Sequence, residues 1–160
     1  MKKILFICSF IFLFPHFIKA QDFHFEFKTD IEVSQGGESL LNAWAGGLNS
    51  AQFSTIDLNI DGKEDLFVFD RTTNKVYTYL NLNNTWVYSP EYESIFPEMF
   101  YWALLVDYNC DGKKDIWTTA NFGTKVYKNT STADGLSFQL EKELINTLGI
   151  SGTQLNLAID

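Results

Sequence analysis

The feature that most constrains this chain is a nine-residue pattern that occurs twice, at residues 57–65 and at residues 107–115. Both copies read Asp-x-Asn-x-Asp-Gly-x-x-Asp, and they are 50 residues apart. Apolar and aromatic residues beyond the pattern keep the same offset. These pairs are Leu66/Ile116, Phe67/Trp117, Val76/Val126 and Tyr77/Tyr127. An offset kept over about twenty residues predicts an internal repeat, in which each copy forms one supersecondary unit.

The oxygen-bearing side chains at positions 1, 3, 5 and 9 of each copy are typical of a loop that binds a hard cation. Ca²⁺ takes about six to eight oxygen ligands at about 2.3–2.6 Å, and glycine at position 6 permits the sharp turn that brings alternate residues inward. Carboxylates about 5 Å apart repel by roughly 3 kcal/mol per pair at an effective dielectric of about 20, and a cation removes this repulsion. The predicted ligands are Asp57, Asn59, Asp61, Asp65 and the main-chain carbonyl of Lys63 in the first loop, and Asp107, Asn109, Asp111, Asp115 and the main-chain carbonyl of Lys113 in the second.

Two other loop types account for less of the pattern. An ordinary Asp-Gly hairpin turn explains the glycine and one aspartate, but not the four oxygen positions that recur in both copies. An EF-hand loop needs a glutamate at position 12 and flanking helices, whereas position 12 here is Val68 or Thr118 and strand-like runs follow. A calcium loop between strands is therefore the favoured interpretation.

Alternating and continuous apolar runs predict four strands in each repeat. In the first repeat they cover residues 53–56, 66–69, 75–80 and 86–88, and in the second they cover residues 101–106, 116–119, 124–128 and 136–140. Phe23, Phe25 and Phe27 alternate with polar residues and predict a further strand near the N-terminus. Residues 141–148 fit either a helical turn or a connector, and residues 155–160 predict the start of another strand.

The first 20 residues have the composition of a secretory signal peptide. Lys2 and Lys3 precede an apolar run over residues 4–14, and the segment ends at Ala20, so we expect export and a mature chain that starts at Gln21. The run is too short for a comfortable membrane span, although an N-terminal anchor helix is the alternative. Loss of the segment's three lysines takes the formal charge from −8 to −11, which argues against nucleic acid and anionic membranes as partners.

The repeated pattern, followed each time by a strand-forming run, resembles the FG-GAP/VCBS repeat family, which includes the calcium-loop blades of integrin alpha-chain propellers and many secreted bacterial proteins. Residues 43–48 and Phe53 resemble the small-residue turn and aromatic strand of such blades, and the likeness covers about residues 40–130. It implies an all-β fold, a β-propeller of four-stranded repeats at about residues 51–100 and 101–150, with Ca²⁺ between the first two strands of each. Propellers close with about four to eight blades, so we expect residues 21–160 to be the N-terminal fragment of an incomplete propeller.

The expected function is that of a secreted or cell-surface calcium-binding repeat protein for adhesion or ligand binding, with a structural metal and a protein or carbohydrate surface ligand as partner. Cys110 is the only cysteine after cleavage, so no intramolecular disulfide can form and we expect a metal to stabilise the fold instead. We expect no catalytic residues, since His24 is then the only histidine. The alternative is the propeller part of a secreted carbohydrate-active enzyme. Tyr101, Trp102 and Trp117 fit either blade core or stacking on sugars.

The two loops differ in charge at position 8, which is Glu64 in the first loop and Lys114 in the second. The nine-residue loops thus carry net charges of −3 and −1, and we expect the first to bind Ca²⁺ severalfold more tightly. Fewer than three blades would also leave apolar faces open. Residues 66–69 and Trp117 are expected among the exposed groups.

Overall fold

The computed structural model describes residues 23–121 and 123–145. The chain divides into two compact units, residues 1–31 and residues 32–160. In the first unit, residues 23–31 form no strand, so the strand predicted from Phe23, Phe25 and Phe27 is wrong. These side chains are exposed. An alternating pattern alone does not stabilise a strand, which also needs a partner strand and a surface to cover. The predicted signal peptide and the predicted strand at residues 155–160 lie outside the described residues.

The second unit begins with a short hairpin and the sheet of the first repeat. The hairpin strands are β1 (Ser34–Gln35) and β2 (Glu38–Ser39). The first repeat forms an antiparallel four-stranded sheet in which each strand pairs with the next along the chain. Its strands are β3 (Ala51–Ile56), β4 (Asp65–Asp70), β5 (Lys75–Leu82) and β6 (Thr85–Tyr88). The four strands predicted for this repeat are confirmed.

The second repeat forms a sheet of the same topology. Its strands are β7 (Ala103–Val106), β8 (Asp115–Ala120), β9 (Gly123–Asn129) and β10 (Phe138–Ile145). The four predicted strands are again confirmed. However, β10 continues past a bulge between Leu140 and Lys142, so residues 141–145 are strand and neither a helical turn nor a connector.

Equivalent residues of the two third strands are fewer residues apart in the sequence than equivalent residues of the two loops. Leu66 pairs with Tyr79 in the first sheet, and Ile116, its counterpart, pairs with Tyr127 in the second. The offset is 50 residues between Leu66 and Ile116 but 48 between their partners. The repeat therefore loses two residues between its second and third strands.

The turns between these strands explain the difference. Residues 71–74 connect β4 to β5, whereas only residues 121–122 connect β8 to β9. The matches of Val76 with Val126 and of Tyr77 with Tyr127 are therefore wrong by two residues. Because side chains alternate between faces along a strand, this even shift keeps the core-facing side chains on the correct face.

The two sheets pack head to tail. Phe67 and Phe69 of β4 lie in one buried cluster with Leu105 and Ile116 of the second sheet. The counterpart of Phe67 in the second sheet is Trp117, which points to the face opposite Ile116. The sheets thus meet through non-equivalent faces, which is the arrangement of successive propeller blades. This confirms the predicted fold class: an all-β chain that forms an incomplete β-propeller.

The larger core fills the space between the two sheets. Its buried members are Ile56, Leu58, Phe67, Phe69, Phe96, Met99, Ala103, Leu105, Ile116 and Leu136. The Phe96 ring lies 4.8 Å from Phe67 and 5.2 Å from Phe138, centroid to centroid. The segment between the repeats therefore contributes to the packing of both blades.

A smaller core covers the opposite face of the first sheet. It contains Ala45, Val68, Tyr77, Tyr79 and Tyr88. Just before Ala45, the Asn42 side chain donates to the Trp86 carbonyl at 2.8 Å and accepts the Tyr88 N–H at 2.7 Å. Asn42 thereby pairs main-chain groups of β6, which as an edge strand would otherwise leave them unpaired.

The predicted exposure of residues 66–69 and Trp117 is wrong. Phe67, Val68 and Phe69 have no accessible surface, because the two cores cover both faces of β4. Trp117 is half-buried, and within the described residues its indole Nε1 is buried without a hydrogen-bond partner. An exposed aromatic residue of the first sheet is instead Phe53 of β3, which is 63% accessible.

The connector between the sheets contains a 3₁₀ helix, Pro90–Ile95. Its Glu93 accepts a hydrogen bond from the Tyr88 hydroxyl at 2.7 Å and lies 3.8 Å from Lys75 Nζ. Burial raises the pKa of the Glu93 carboxyl, although Tyr88 and Lys75 oppose the shift. Burial also raises the pKa of Tyr88, and its hydrogen bond to Glu93 adds to that shift.

In the part of the chain that the structure describes, no helix is long and apolar enough to cross a membrane.

Replacement of Glu93 by glutamine tests the cost of this burial. A carboxyl whose pKa is raised by folding lowers the free energy of unfolding when it is ionised. This loss of stability disappears as the pH falls from the folded pKa to the ordinary value of 4.5, because the folded carboxyl becomes protonated. Glutamine is neutral and keeps an acceptor for the Tyr88 hydroxyl. Glu93→Gln should therefore be more stable than the wild type at neutral pH, and the difference should shrink in acid. Urea unfolding at several pH values measures it, and a difference independent of pH would contradict the assignment.

Candidate metal centre

Each repeated loop connects the first strand of its sheet to the second. In the first loop, the side chains at positions 1, 3 and 5 accept the loop's own main-chain N–H groups, and positions 1 and 3 share the N–H of Asp61. This N–H donates to Asp57 Oδ1 at 3.1 Å and to Asn59 Oδ1 at 3.2 Å. Gly62 N–H donates to Asp57 Oδ2 and Lys63 N–H to Asp61 Oδ1, both at 2.8 Å. The three side chains turn into the loop, as the pattern predicts.

The second loop repeats this arrangement. The Asp111 N–H donates to Asp107 Oδ1 at 3.2 Å and to Asn109 Oδ1 at 3.0 Å. Gly112 N–H donates to Asp107 Oδ2 at 2.8 Å and Lys113 N–H to Asp111 Oδ1 at 3.0 Å. The two loops therefore have the same network of hydrogen bonds, residue for residue.

The backbone of both loops contains the same left-handed residues. Gly62 and Gly112, at position 6, have φ of 83° and 84°, and Ile60 and Cys110, at position 4, have φ of 59° and 60°. Glycine adopts this region freely, but for a β-branched residue such as isoleucine it is an outlier. Strain of this kind persists only where the surroundings impose it, and here the inward-facing hydrogen bonds impose the turn.

The aspartate at position 9 has a different role from the other predicted ligands. Asp65 is 1% accessible and Asp115 is fully buried. The two oxygens of Asp65 accept the N–H groups of Leu58 and Asn81, both at 2.8 Å. Asp115 accepts the N–H groups of Tyr108 and Asn129 in the same way, at 2.8 and 2.7 Å. Each position-9 carboxylate thus fastens the start of its loop to the end of the third strand.

Sequence reasoning missed the asparagine partner of each position-9 aspartate. The Asn81 side chain donates to the Glu64 carbonyl at 3.3 Å, and the Asn129 side chain donates to the Lys114 carbonyl at 3.0 Å. Both lie near the end of the third strand in their sheets. The signal is present in the sequence, but the two asparagines are 48 residues apart and do not align at the 50-residue offset of the loops.

The oxygen atoms of the loops are the ligand type that a hard cation prefers. The acidic side chains, however, are not all arranged as ligands of one ion. Within residues 23–121 and 123–145, no group of three or more His, Cys, Asp or Glu side chains is arranged to hold a metal. Positions 1, 3 and 5 converge, but position 9 is occupied by main-chain N–H groups. A carboxylate offers about four lone-pair sites, so each hydrogen-bonded oxygen keeps capacity for a second interaction.

An ion pair connects the two loops. Lys114 Nζ donates to Glu64 Oε2 at 2.7 Å, to Thr55 Oγ1 at 2.7 Å and to the Thr55 carbonyl at 2.9 Å. Glu64 and Lys114 are the position-8 residues of the first and second loop, so one blade is tied to the other beside both loops. The charges of Glu64 and Lys114 therefore offset each other. A tighter first loop, which was expected from separate loop charges, loses its basis.

Local hydrogen bonds shift the acidity of three loop carboxyls. The main-chain N–H of Lys63 holds the pKa of Asp61 below its ordinary value, and that of Lys113 does the same for the pKa of Asp111. Burial would raise the pKa of Glu64, but hydrogen bonds from Lys114 and Thr55 outweigh burial and lower it. All three carboxyls are thus held in their ionised form.

The remaining residues singled out in the sequence are His24 and three aromatic residues of the second repeat. His24 is exposed in the first unit. Trp102 is half-buried, and Trp117 packs edge-on against Tyr108 with 5.4 Å between ring centroids. Tyr101 is 53% accessible and is therefore a surface aromatic residue.

Comparison with known protein families agrees with this geometry. Residues 57–118 match the model of an FG-GAP-like repeat, a match that begins at position 1 of the first loop and ends within β8. No curated protein and no solved structure matches the chain. Two head-to-tail four-stranded sheets, each with an Asp/Asn loop between its first two strands, define a β-propeller repeat protein. Residues 57–118 thus have the pattern of an FG-GAP-like repeat, which confirms the resemblance predicted from the sequence; membership of the VCBS group stays a prediction.

Substitution of Asp65 should destabilise the protein without any metal. Asp65→Ala leaves the buried N–H of Leu58 and the partly buried N–H of Asn81 without acceptors. A buried unsatisfied group costs about 1–3 kcal/mol, so the free energy of unfolding should fall by roughly 2–3 kcal/mol. Asp65→Asn keeps one acceptor and should lose less. Urea unfolding in excess EGTA is the measurement, with Asp134→Ala, an exposed turn aspartate, as control. Equal stability of Asp65→Ala and wild type in EGTA would refute the bridging role.

Removal of the Lys114 ammonium should loosen the contact between the blades. Lys114→Met keeps much of the side-chain length but loses hydrogen bonds to Thr55 and Glu64, which at partial exposure should cost about 1–2 kcal/mol. Lys63→Met, which loses only a 3.6 Å contact to Asp61, serves as the matched control and should change little. Chemical denaturation of both variants decides the point. If the two substitutions have equal effects, the contact with Glu64 and Thr55 contributes nothing to stability.

Proposed function

We propose that the protein is a calcium-binding β-propeller module that acts outside the cell in adhesion or ligand binding. The observation that carries the proposal is the identical hydrogen-bond network of the two loops, with Asp, Asn and Asp at positions 1, 3 and 5 turned inward. Two copies with the same inward-facing oxygens are unlike a chance turn, since hairpins need only the glycine and one aspartate. In this proposal the module is not catalytic.

The ion would be held by inward-facing oxygens in each loop. The first loop offers Asp57, Asn59, Asp61, the Lys63 carbonyl and remaining lone pairs of Asp65. The second loop offers Asp107, Asn109, Asp111, the Lys113 carbonyl and remaining lone pairs of Asp115. A bound Ca²⁺ supplies positive charge that offsets the repulsion between these carboxylates. Its role is structural, because each loop fixes the connection between two neighbouring strands.

The proposed location follows from the family and the N-terminal sequence. FG-GAP-like repeats are typical of extracellular and surface proteins, and residues 1–20 have the composition of a signal peptide. An acidic chain with a formal charge of −8 suits neither nucleic acid nor an anionic membrane. The proposed partner is therefore a protein or a carbohydrate at a cell surface or in the extracellular matrix.

Calcium removal should lower the melting temperature. Extracellular modules bind Ca²⁺ with Kd of about 10⁻⁴–10⁻³ M, so millimolar Ca²⁺ should stabilise each loop by up to roughly 1.4 kcal/mol. Two loops then contribute up to about 3 kcal/mol against a total stability of about 5–15 kcal/mol. Thermal unfolding of the full chain in millimolar Ca²⁺ and in EGTA measures the effect.

Single-loop variants divide the calcium effect between the sites. Asp57→Ala and Asp107→Ala each remove position 1 of one loop, so each should lose about half of the calcium-dependent shift. Asp134→Ala should retain all of it. With Glu64 and Lys114 paired, we expect the two surviving loops to have similar Kd in calcium titrations. If EGTA leaves the wild-type melting curve unchanged, the calcium part of the proposal is wrong.

A further inference from the structure

A strained aromatic residue lies at the end of the blades opposite the two loops. Tyr101 has φ of +66°, and the N–H of Trp102 donates to the carbonyl of Phe100 at 2.7 Å. A hydrogen bond across one residue with positive φ is the rarer and more strained form of γ-turn. A bulky residue at its apex is an outlier, since glycine would adopt the same backbone without strain.

The strained turn is held by the neighbouring blade. The Tyr101 N–H donates to Asn74 Oδ1 at 2.8 Å, and its carbonyl accepts a hydrogen bond from Arg71 Nε at 2.8 Å. Arg71 and Asn74 both belong to the turn between β4 and β5. Two hydrogen bonds therefore fix the backbone that presents the Tyr101 ring, which is 53% accessible. Phe100 beside it is also exposed.

A groove of about 670 Å³ lies next to this turn. Asn74, which holds Tyr101, also lines the groove. The remaining polar lining residues are Thr73, Lys75, Glu93, Ser94 and Glu98, and the lining also includes apolar residues of the core. The volume is within the range of about 300–1,000 Å³ that is typical of small-ligand sites.

Charged groups of both signs lie around the groove and the Tyr101 turn. The groove is lined by Lys75, Glu93 and Glu98, and Arg71 holds the turn. Lys75 and Glu93 lie 3.8 Å apart. Mixed charges of this kind do not make the field of a single sign that attracts a polyanion or a polycation over distance. The surface does offer closely spaced donors and acceptors, of the kind that bind hydroxyl groups.

From these observations we propose that Tyr101, with Phe100 and the adjoining groove, forms a binding site for a neutral carbohydrate chain. The exposed ring contacts the apolar C–H face of a sugar, and Asn74, Thr73, Lys75 and Ser94 hydrogen-bond its hydroxyls. Arg71 and Asn74 are positioning residues for the ring. The strain at Tyr101 is the cost of a rigid, accessible aromatic surface. This inference rests on the proposed ligand-binding role and names the ligand class for it.

Binding of the full chain to soluble polysaccharides tests the site. The probes are mannan, xylan and a β-glucan as neutral polymers, with heparin and polygalacturonate as charged ones, in affinity electrophoresis at millimolar Ca²⁺. We expect retention by at least one neutral polymer and by neither charged one. Tyr101→Gly removes the ring and relieves the backbone, so it should fold normally and bind about tenfold more weakly.

Matched variants separate the site from general surface effects. Tyr101→Phe keeps the ring and should retain most of the binding, and Phe53→Ala, which removes an equally exposed aromatic ring from β3, should retain all of it. Equal binding by Tyr101→Gly and wild type overturns the proposed site, and retention only by charged polymers, or by none, overturns the ligand class. Each of these outcomes leaves the EGTA unfolding result intact, so failure here is distinguishable from failure of the calcium-binding module.

Discussion

Both blades depend on a buried carboxylate that accepts two main-chain N–H groups. Asp65 and Asp115 each join the first residues of a loop to the end of the third strand, so the loop is fixed to its sheet at two points. A buried polar group is tolerated only where hydrogen bonds compensate its lost hydration, and main-chain N–H groups supply that compensation here. Between these two points, the inward-facing oxygens accept the loop's own N–H groups.

This connection changes how the proposed metal contributes. The inward-facing oxygens of each loop already accept the loop's own N–H groups, and a left-handed residue at position 4 is held in place by them. The turn is therefore formed by hydrogen bonds within the chain. An ion added to such a loop stabilises an existing geometry and relieves repulsion between carboxylates, in contrast to metal sites where an unfolded chain acquires its structure with the ion.

Much of the fold could be predicted because the loop pattern is specific and the strands follow it at fixed distances. All eight strands of the two sheets were placed from apolar runs, and the family followed from the loops. The missed features depend on non-local pairing. The two-residue difference between turns is visible only once Leu66 and Ile116 have strand partners, and the asparagine partners were hidden by the same shift. Near the N-terminus, the alternation at residues 23–27 predicted a strand that does not form, and among the described residues no strand pairs with it.

The shorter turn of the second repeat also shows where such repeats can vary in length. The difference of two residues lies wholly in the turn, because Asp70 pairs with Lys75 in the first sheet and Ala120 pairs with Gly123 in the second. Hairpin loops of two to five residues all connect antiparallel strands. The outer end of a blade can therefore lengthen or shorten while Asn81 and Asn129 keep their places beside Asp65 and Asp115 at the other end.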